Sequence, residues 1–460
     1  MASSRKSPKS NALLAHVAAI LKQHVKRGDR LVAGLSGGVD SVVLLELLRR
    51  LSKTLHFDLA ALHVNHQINP SSGRFAAFCR AFCKSHAIPL TVVRVTVPRG
   101  NSLEAAARAA RYQAFATLPA DFIALAHNLD DQAETVFLQL LRGAGVKGLS
   151  AMPIVREGKG GTEEKNRLTP HASRLTPSIL RPLLEIPRSE IEAYARSHKL
   201  EWIEDDSNAD TAFDRNFLRH RILPVVAQRY PSYRKTLLRA SRNFAEAAQL
   251  LDELAAADAQ LSVHGLKITA LRASSAARAK NVLRHFLALH GVLMPNAARL
   301  DECVRQVLHE PRAKRLVIDL DGHTLRRFAD ELRVVPKSGA LARDFMRRWN
   351  GESKLHLPEL GGTLVLKKCR GAGISLAKLS AQPVIVRVRQ GGERFRPHPQ
   401  RPRRSLKNLL REARVPPWLR DRLPLLFVGE TLVYVPCIGV DSKFRATASE
   451  LGVEPGWVTD

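Results

Sequence analysis

Cysteine is scarce in this chain of 460 residues, which contains only five. No two of them form a CxxC pair and none has the spacing of a zinc-ligand set, so we expect neither disulfides nor a structural zinc site. This usage is typical of a reducing compartment and predicts a cytoplasmic protein. The five positions are Cys79, Cys83, Cys303, Cys369 and Cys437.

Long apolar runs and acidic residues are also in short supply. No run reaches the ~20 residues that a membrane-spanning helix needs, which predicts a protein with no membrane contact. Asp and Glu number 43 against 72 Lys and Arg, and the formal net charge is +29. Such an excess favours a polyanionic partner, most often a nucleic acid, although a solvated basic surface would give the same composition.

Strand-like and helix-like segments alternate through the first third of the chain. Strands fit residues 29–36, 59–66, 90–97 and 122–127, and a helix-like segment follows each of them. The alternation predicts a doubly wound parallel α/β sheet. Residues 156–178 are polar and nearly free of apolar side chains, which predicts a flexible surface insertion.

The length of the chain predicts two or three domains. We expect an α/β domain, then a mostly helical middle domain, then a small, basic, mixed α+β domain at the C-terminus. The corresponding boundaries are 1–225, 226–350 and 351–460.

A glycine-rich loop, Ser36-Gly37-Gly38-Val39-Asp40-Ser41, follows the first strand and precedes a leucine-rich helix. It matches neither GxGxxG nor GxxxxGK[ST]. Its glycines allow backbone N–H groups to approach an anion, and the helix start adds positive charge. Asp40 would repel a bare phosphate, so its presence indicates a bound magnesium ion. The alternative is a glycine turn with Asp40 as a helix cap.

Three carboxylates, Asp130, Asp131 and Glu134, fall on the first turns of the helix after the fourth strand. Their i,i+3 and i,i+4 spacing allows them to converge, and this end of a strand is where α/β sheets bind ligands. Carboxylates at such a position could hold a cationic group or accept a proton. The alternative is that they complement the helix dipole, with Asn128 as the cap.

Several cations accompany these carboxylates. His127 directly follows the fourth strand, and Arg108 and Arg111 share one helix face with Tyr112. We expect them to stabilise developing phosphate charge, although Arg108 could instead pair with Glu104.

Two further basic segments suit RNA. Near the end of the first domain, "DRNFLRHRILP" supplies arginines at i,i+4 spacing, and the C-terminal domain interleaves Phe395 and Trp418 with many arginines. Arginine with aromatic residues favours RNA through phosphate pairing and base stacking. The alternative is a solvated surface with Trp418 in a small core.

The loop SGGVDS resembles the PP-loop of the N-type ATP pyrophosphatases, which split ATP between its α and β phosphates and transfer AMP to an oxygen. Together with HVNHQINPSS (63–72), AHNLDDQAETVFLQLLRGAG (126–145) and the basic C-terminal segment, it makes the chain similar to the tRNA(Ile)-lysidine synthases. The resemblance implies that ATP adenylates the C2 oxygen of the wobble cytidine in a CAU anticodon. Free L-lysine then displaces AMP, and codon reading changes from AUG to AUA.

The resemblance implies a site and a set of partners. ATP would lie on Ser36, Gly37, Gly38, Val39, Asp40 and Ser41, with Mg²⁺ held by Asp40. Catalysis would involve Asp40, Arg108, His127, Asp130, Asp131 and Glu134. Contacts with the isoleucine tRNA would involve Arg111, Arg142, Asn208, Arg215, Asn216, Arg219, Arg394, Arg396 and Lys407. A homodimer is a further expectation.

Three rival interpretations fit less well. A tRNA thiolation enzyme needs reactive or paired cysteines, and none falls in the active-site loops. An amidotransferase-type synthetase needs an ammonia source, and no glutaminase domain is evident. A non-catalytic RNA-binding protein would explain the charge but not the loop and the carboxylates together.

Overall fold

The computed structural model describes residues 8–67, 72–96, 103–158, 176–204, 210–262, 265–309, 316–337, 339, 341–342 and 344–459. The chain divides into two compact units, the first ending at Leu254 and the second beginning at Ala255. The three-domain division at residues 225 and 350 stays a prediction. Within the described residues, no helix is both long enough and apolar enough to cross a membrane.

The first unit is built on a six-stranded sheet in the order β3-β2-β1-β4-β6-β5. All neighbouring strands are parallel except β5 and β6. The strands are β1 Arg30–Gly34, β2 Asp58–Asn65, β3 Leu90–Arg94, β4 Phe122–Ala124, β5 Val155–Arg156 and β6 Ser178–Leu180.

Helices connect and cover these strands. They are α1 Pro8–His24, α2 Val39–Leu55, α3 Ser72–Ser85, α4 Leu103–Ala116, α5 Leu129–Leu141, α6 Val146–Leu149, α7 Arg188–Ser197, α8 Asp214–Phe217, a π-helical turn Leu218–Ile222, α9 Leu223–Arg229 and α10 Tyr233–Asp258.

Strand β1 shows why the sheet is covered on both faces. Leu31 and Ala33 belong to a core cluster with α1, α2 and α7, whereas Val32 packs in a second cluster with Phe115 of α4. Because successive side chains of a strand point to opposite faces, a buried run such as Leu31–Val32–Ala33 needs a helical layer on each side. The doubly wound parallel sheet predicted from the sequence is confirmed.

The carboxyl ends of β1 and β4 open at the same edge of the sheet, because these neighbours run parallel. The loop before α2 and the loop before α5 therefore lie side by side. Gly34 reflects this closeness, since a Cβ built there would lie 2.9 Å from Leu125 Cδ2. This edge carries the loop and the carboxylates that the sequence singled out.

The second unit begins with helices packed on a four-stranded antiparallel sheet, in the order β7-β10-β9-β8, and continues as a β-rich region. Its helices are α11 Ile268–Arg272, α12 Ala276–Leu289, α13 Ala297–His309, α14 Leu376–Leu379, α15 Leu406–Glu412 and α16 Pro417–Arg420. The expected succession of a helical middle region and a C-terminal domain of mixed elements is confirmed, with strands predominating in the latter.

In addition to that sheet, the strands of the second unit form a five-stranded sheet in the order β11-β15-β18-β19-β20, a four-stranded sheet in the order β12-β13-β21-β14, and a two-stranded sheet of β16 and β17. They are β7 Leu266–Lys267, β8 Val317–Leu320, β9 His323–Phe328, β10 Glu331–Pro336, β11 Met346–Trp349, β12 Lys354–Leu357, β13 Gly362–Arg370, β14 Ile374–Ser375, β15 Val384–Arg387, β16 Arg394–Phe395, β17 Arg404–Ser405, β18 Leu425–Val428, β19 Thr431–Val435, β20 Gly439–Val440 and β21 Leu451–Thr459.

Candidate active site

The loop between β1 and α2 is held in shape by its own serine hydroxyls. Ser41 Oγ accepts hydrogen bonds from the backbone N–H groups of Ser36 and Gly37, each at 3.2 Å, and donates to Gly38 O at 2.9 Å. From outside the loop, the backbone N–H of Ile203 donates to Gly37 O at 2.9 Å. Contacts within the chain therefore fix the turn.

The two glycines of this loop have different roles. Gly37 has a φ of +96°, and a Cβ there would lie 3.3 Å from Phe75 Cδ1, so its backbone favours glycine. Gly38 has a φ of −77° and precedes α2 as its N-cap, without a side-chain capping bond. In the described part of the chain, the N–H groups of Val39 and Asp40 have no acceptor. An uncapped helix start with free donors suits an anion.

Asp40, in the first turn of α2, is joined to the carboxylate helix α5 through one amide side chain. Asn128 Nδ2 donates to Asp40 Oδ1 at 3.1 Å. Asn128 also caps α5, since its Oδ1 accepts from Asp131 N at 3.0 Å and its own N–H donates to Asp131 Oδ2 at 3.1 Å. Burial raises the pKa of the Asp40 carboxyl to about 6, and this rise outweighs the opposing charge of Arg188.

The first turns of α5 carry a carboxylate–arginine cluster, made of Asp131, Glu134, Arg215 and Arg219. Arg219 donates two hydrogen bonds to Glu134, from Nε to Oε1 at 2.6 Å and from Nη2 to Oε2 at 3.0 Å. It also reaches Asp131 Oδ1 at 3.4 Å. Arg215 Nε lies 3.0 Å from Glu134 Oε2 without hydrogen-bond alignment.

Two features of sequence place this cluster. Asp131 and Glu134 are three residues apart, and Arg215 and Arg219 are four apart across α8 and the π-helical turn, so each pair faces one way. π-helical turns occur often at functional sites.

Glu134 is only 1% exposed, and its burial raises the pKa of its carboxyl despite the arginines. A buried carboxylate of this kind is a better proton acceptor than an exposed one.

Beside these groups lies an arginine pocket, in which Arg108, Arg156 and Arg181 surround the ring of Tyr112. The guanidinium carbons of Arg108 and Arg156 lie 5.1 Å and 4.5 Å from the ring centroid. Arg181 is 1% exposed, donates to Pro153 O at 2.8 Å and has no carboxylate partner among the described residues. Its Nε atom makes no hydrogen bond there. The pocket is strongly electropositive and suits an anion.

His127, between β4 and α5, faces the same positive charges. Burial first, and then Arg181 and Arg215, lower its pKa well below the ordinary value, so the ring is neutral at pH 7. Its Nδ1 atom is buried and makes no hydrogen bond within the described residues. The expected stabilisation of phosphate charge can therefore come from His127 only as a neutral hydrogen-bond donor, and not as a cation.

Comparisons with known proteins agree along the whole chain. Residues 10–226 match a family described as the PP-loop domain, residues 266–333 the TilS substrate binding domain, and residues 384–457 the TilS substrate C-terminal domain. The tRNA(Ile)-lysidine synthase of Nitrosomonas europaea is 45% identical over 441 residues, covering 95% of this chain and 93% of its own. This chain belongs to the tRNA(Ile)-lysidine synthase family.

Further members of the synthase family are nearly as similar. The synthase of an Azoarcus species is 40% identical, and the match covers 94% of this chain and 92% of that protein. The synthase of Coxiella burnetii is 37% identical, and the match covers 91% of this chain and 92% of that protein. These relatives are matched over nearly their full length, and the PP-loop region and both TilS regions are all represented in this chain. The PP-loop match identifies an ATP-binding domain.

The synthase site differs from the sequence-based expectation at Asp130. Asp130 Oδ2 accepts from the backbone N–H of Arg188 at 3.0 Å, and its Oδ1 accepts from Arg234 Nε at 2.5 Å. Asp130 therefore anchors the beginnings of α7 and α10 to α5 and does not converge with Glu134. These contacts are structural, and the catalytic role expected for Asp130 stays a prediction.

The residues expected to contact tRNA near the active site have protein partners in this structure, and their contacts with tRNA stay predictions. Arg215 and Arg219 face Glu134, as described. Arg142 ends α5, where it is exposed and pairs with Asp214 at 3.1 Å. Asn216 donates to Asp210 O at 2.9 Å and so closes its own loop.

The remaining expected tRNA contacts are more accessible. Arg111 is exposed, and its Nε atom lies 3.4 Å from His66 Nε2. In the C-terminal region, Arg394 and Lys407 are exposed, while Arg396 Nε donates to Ser442 Oγ at 3.0 Å. Asn208 and the Glu104 side chain lie outside the described residues. All of these contacts with tRNA stay predictions.

The aromatic pair of the C-terminal segment divides into a core and a surface residue. Phe395 is fully buried in a small core with Leu406 and Leu410, so it is not available to stack on RNA. Trp418 is partly exposed, packs edge-on against Phe328 and has Arg326 over its ring at 5.4 Å. The alternative places Trp418 in a small core, but the small core of this segment contains Phe395 and not Trp418.

The residues at the loop fit a magnesium ion that shares its ligands with a nucleotide. Among the described residues, no group of three His, Cys, Asp or Glu side chains could hold a metal unaided. Mg²⁺ commonly binds one or two carboxylates together with substrate phosphates. Asp40 has one oxygen engaged by Asn128, and within the described part of the chain its other oxygen makes no hydrogen bond.

Proposed function

We propose that this chain joins free L-lysine to C2 of the wobble cytidine in an isoleucine tRNA with a CAU anticodon, at the expense of ATP. The products are lysidine, AMP and pyrophosphate. One observation carries the proposal: a phosphate loop and the pair of carboxylates Asp131 and Glu134 meet at one sheet edge, where Asn128 joins Asp40 to Asp131. The names of the relatives, which match 95% and 94% of this chain, support the choice of substrate.

The first half-reaction transfers AMP to the base. The C2 oxygen of cytosine attacks the α-phosphorus of ATP, a new P–O bond forms, and the bond to the β-phosphate oxygen breaks to release pyrophosphate. We assign the free N–H groups of Val39 and Asp40 to the phosphates. We assign Arg108 and neutral His127 to stabilising negative charge and orienting the base.

Magnesium, when bound with ATP, would neutralise phosphate charge and favour loss of pyrophosphate. Asp40 is the residue that would hold it, through the carboxylate oxygen that Asn128 does not engage.

The second half-reaction needs a deprotonated amine. The side-chain amine of lysine has an ordinary pKa of ~10.4, so it must lose a proton before it attacks C2. The new C2–N bond forms as the C2–O bond breaks, and AMP leaves with the oxygen. We assign Asp131 to binding the ammonium group and Glu134 to accepting the proton, because burial raises the pKa of Glu134. Arg215 and Arg219 hold that carboxylate in place.

Lysine incorporation tests the proposal directly. The purified protein is incubated with ATP, Mg²⁺, radiolabelled lysine and an isoleucine tRNA with a CAU anticodon. We expect ATP-dependent label in the tRNA and none when the wobble base is uridine. Pyrophosphate release without label would keep the adenylation step and point to another nucleophile. The absence of both label in the tRNA and pyrophosphate release would refute the proposal.

Two further parts of the proposal concern the protein's surroundings. A tRNA substrate and free lysine place the reaction in the cytoplasm. The expected homodimer would be tested by sedimentation of the purified protein with and without tRNA, in which a single species at the mass of one chain would exclude it.

A further inference from the structure

Asn128 lies between the two halves of the site and contacts both. It is 2% exposed, and its side-chain amide uses both ends: Nδ2 donates to Asp40 Oδ1 and Oδ1 accepts from Asp131 N. Asp40 belongs to α2 and Asp131 to α5, helices that follow adjacent parallel strands. One planar group therefore connects the phosphate loop to the carboxylate helix.

We propose that Asn128 is a positioning residue that holds the Asp40 carboxylate in the orientation required for Mg·ATP and ties it to the carboxylate helix. This inference rests on the proposed function for its reaction and goes beyond it in naming how the loop and the carboxylates are coupled. Asn128 touches neither nucleotide nor lysine in this assignment and acts through Asp40.

A helix cap alone does not explain this arrangement. Capping α5 needs only an oxygen acceptor for Asp131 N, and Ser, Asp and Asn are about equally effective at that position. The contact with Asp40 is a second bond, made by the nitrogen of the amide, and neither Ser nor ionised Asp can reproduce it. The two contacts can therefore be separated by substitution.

The Asn128 side chain also determines which oxygen of the Asp40 carboxylate remains accessible. With Oδ1 accepting from Asn128, the carboxylate cannot rotate without breaking that bond, and Oδ2 is the oxygen left for a cation. Arg188 and Arg219, the cations that act most strongly on Asp40, have other carboxylate partners in Glu192 and Glu134. No other side chain in the described residues donates to the Asp40 carboxylate, so the orientation depends on Asn128.

The test compares Asn128→Ser with the wild type. We expect the dissociation constant of Mg·ATP, measured by calorimetry, to rise about 10- to 100-fold, as for a lost hydrogen bond to a charged group. The KM for lysine should stay within about twofold, because the cap on Asp131 is kept. Asn128→Asp keeps the cap and the size, and it should weaken Mg·ATP binding at least as much.

A double-mutant cycle separates positioning from general structure. In the Asp40→Ala background, Asn128→Ser should change Mg·ATP binding less than about threefold, because its partner is gone. Wild-type affinity in both Asn128 variants would overturn the proposal, as would an undiminished loss in the Asp40→Ala background. The cycle needs neither tRNA nor lysine, so failure of lysine incorporation would refute the proposed function without affecting this result.

Discussion

We predict that the Asp40 carboxylate lowers the free energy of unfolding, although the proposed reaction requires it. Burial raises the pKa of its carboxyl from 3.8 to about 6, so at pH 7 the ionised form is held in a place that favours the neutral one. The difference of about 2 pH units corresponds to roughly 3 kcal/mol, at 1.36 kcal/mol per unit. Asp40 is partly exposed, so we halve this figure and expect that Asp40→Asn stabilises the first unit by about 1–2 kcal/mol.

The assay is thermal unfolding without ATP and with a chelator, from pH 4 to pH 8. A gain of this size in a unit of about 250 residues corresponds to a rise in Tm of roughly 2–8 °C. Because the pKa of Asp40 is raised in the folded state, the free energy of unfolding of the wild type decreases as pH rises through about 6. The Asp40→Asn variant lacks this titrating group and should not show that decrease. The advantage of Asp40→Asn should therefore be complete at pH 8 and vanish near pH 4. Pyrophosphate release should be lost.

Glu46, six residues later on the same helix, provides the matched control. It is also buried, but three hydrogen bonds from Arg49 and Arg50 lower the pKa of its carboxyl below the ordinary value. Glu46→Gln should lower the free energy of unfolding by about 1–2 kcal/mol and leave pyrophosphate release unchanged. A lower Tm for Asp40→Asn at pH 8, or a difference that does not depend on pH, would refute the reasoning.

Three other predictions follow from particular side chains. Gly37→Ala should lower the free energy of unfolding by about 1–2 kcal/mol because of its positive φ, whereas Gly38→Ala, with ordinary contacts, should change it by less than about 0.5 kcal/mol in the same melts. Phe213 and Phe217 are 39% and 46% exposed next to the carboxylate–arginine cluster, so changing both to Leu should raise the KM for tRNA about tenfold but not that for ATP; an unchanged KM would exclude base stacking there. Lys407→Ala should weaken tRNA binding about threefold at low salt and reduce its salt slope by about one; an unchanged slope would exclude a phosphate contact.

The sequence predicts the sheet and the phosphate loop well because both depend on local signals. A buried strand, a glycine turn and an amphipathic helix in succession are readable from apolar spacing and from residues with special backbone freedom. The position of the site followed from the rule that ligands bind at the carboxyl edge of such sheets. Strands as short as β5 and β6, which flank the polar insertion, carry too few residues to be recognised.

Partners between side chains distant in sequence are the part that the sequence could not supply. Asp130 and Asp131 are adjacent carboxylates in one helical turn, yet one anchors α7 and α10 and the other faces Arg219, because neighbours on a helix point about 100° apart. The sequence does contain a signal for Arg181, because an arginine inside the apolar run "ILRPLL" is expected to be buried. That signal indicates a special role for the arginine but not its partners.

The direction of the pKa shifts separates the active site from the rest of the chain. Among the described carboxyl groups with a resolved shift, Asp40 and Glu134 are raised, whereas those elsewhere, such as Glu46, Glu302 and Glu331, are lowered by their partners. A lowered pKa is what an ion pair selected for stability produces, and a raised one is retained only where another requirement outweighs stability. Both raised groups lie at the sheet edge beside the phosphate loop, which supports the proposal that Asp40 and Glu134 take part in the reaction.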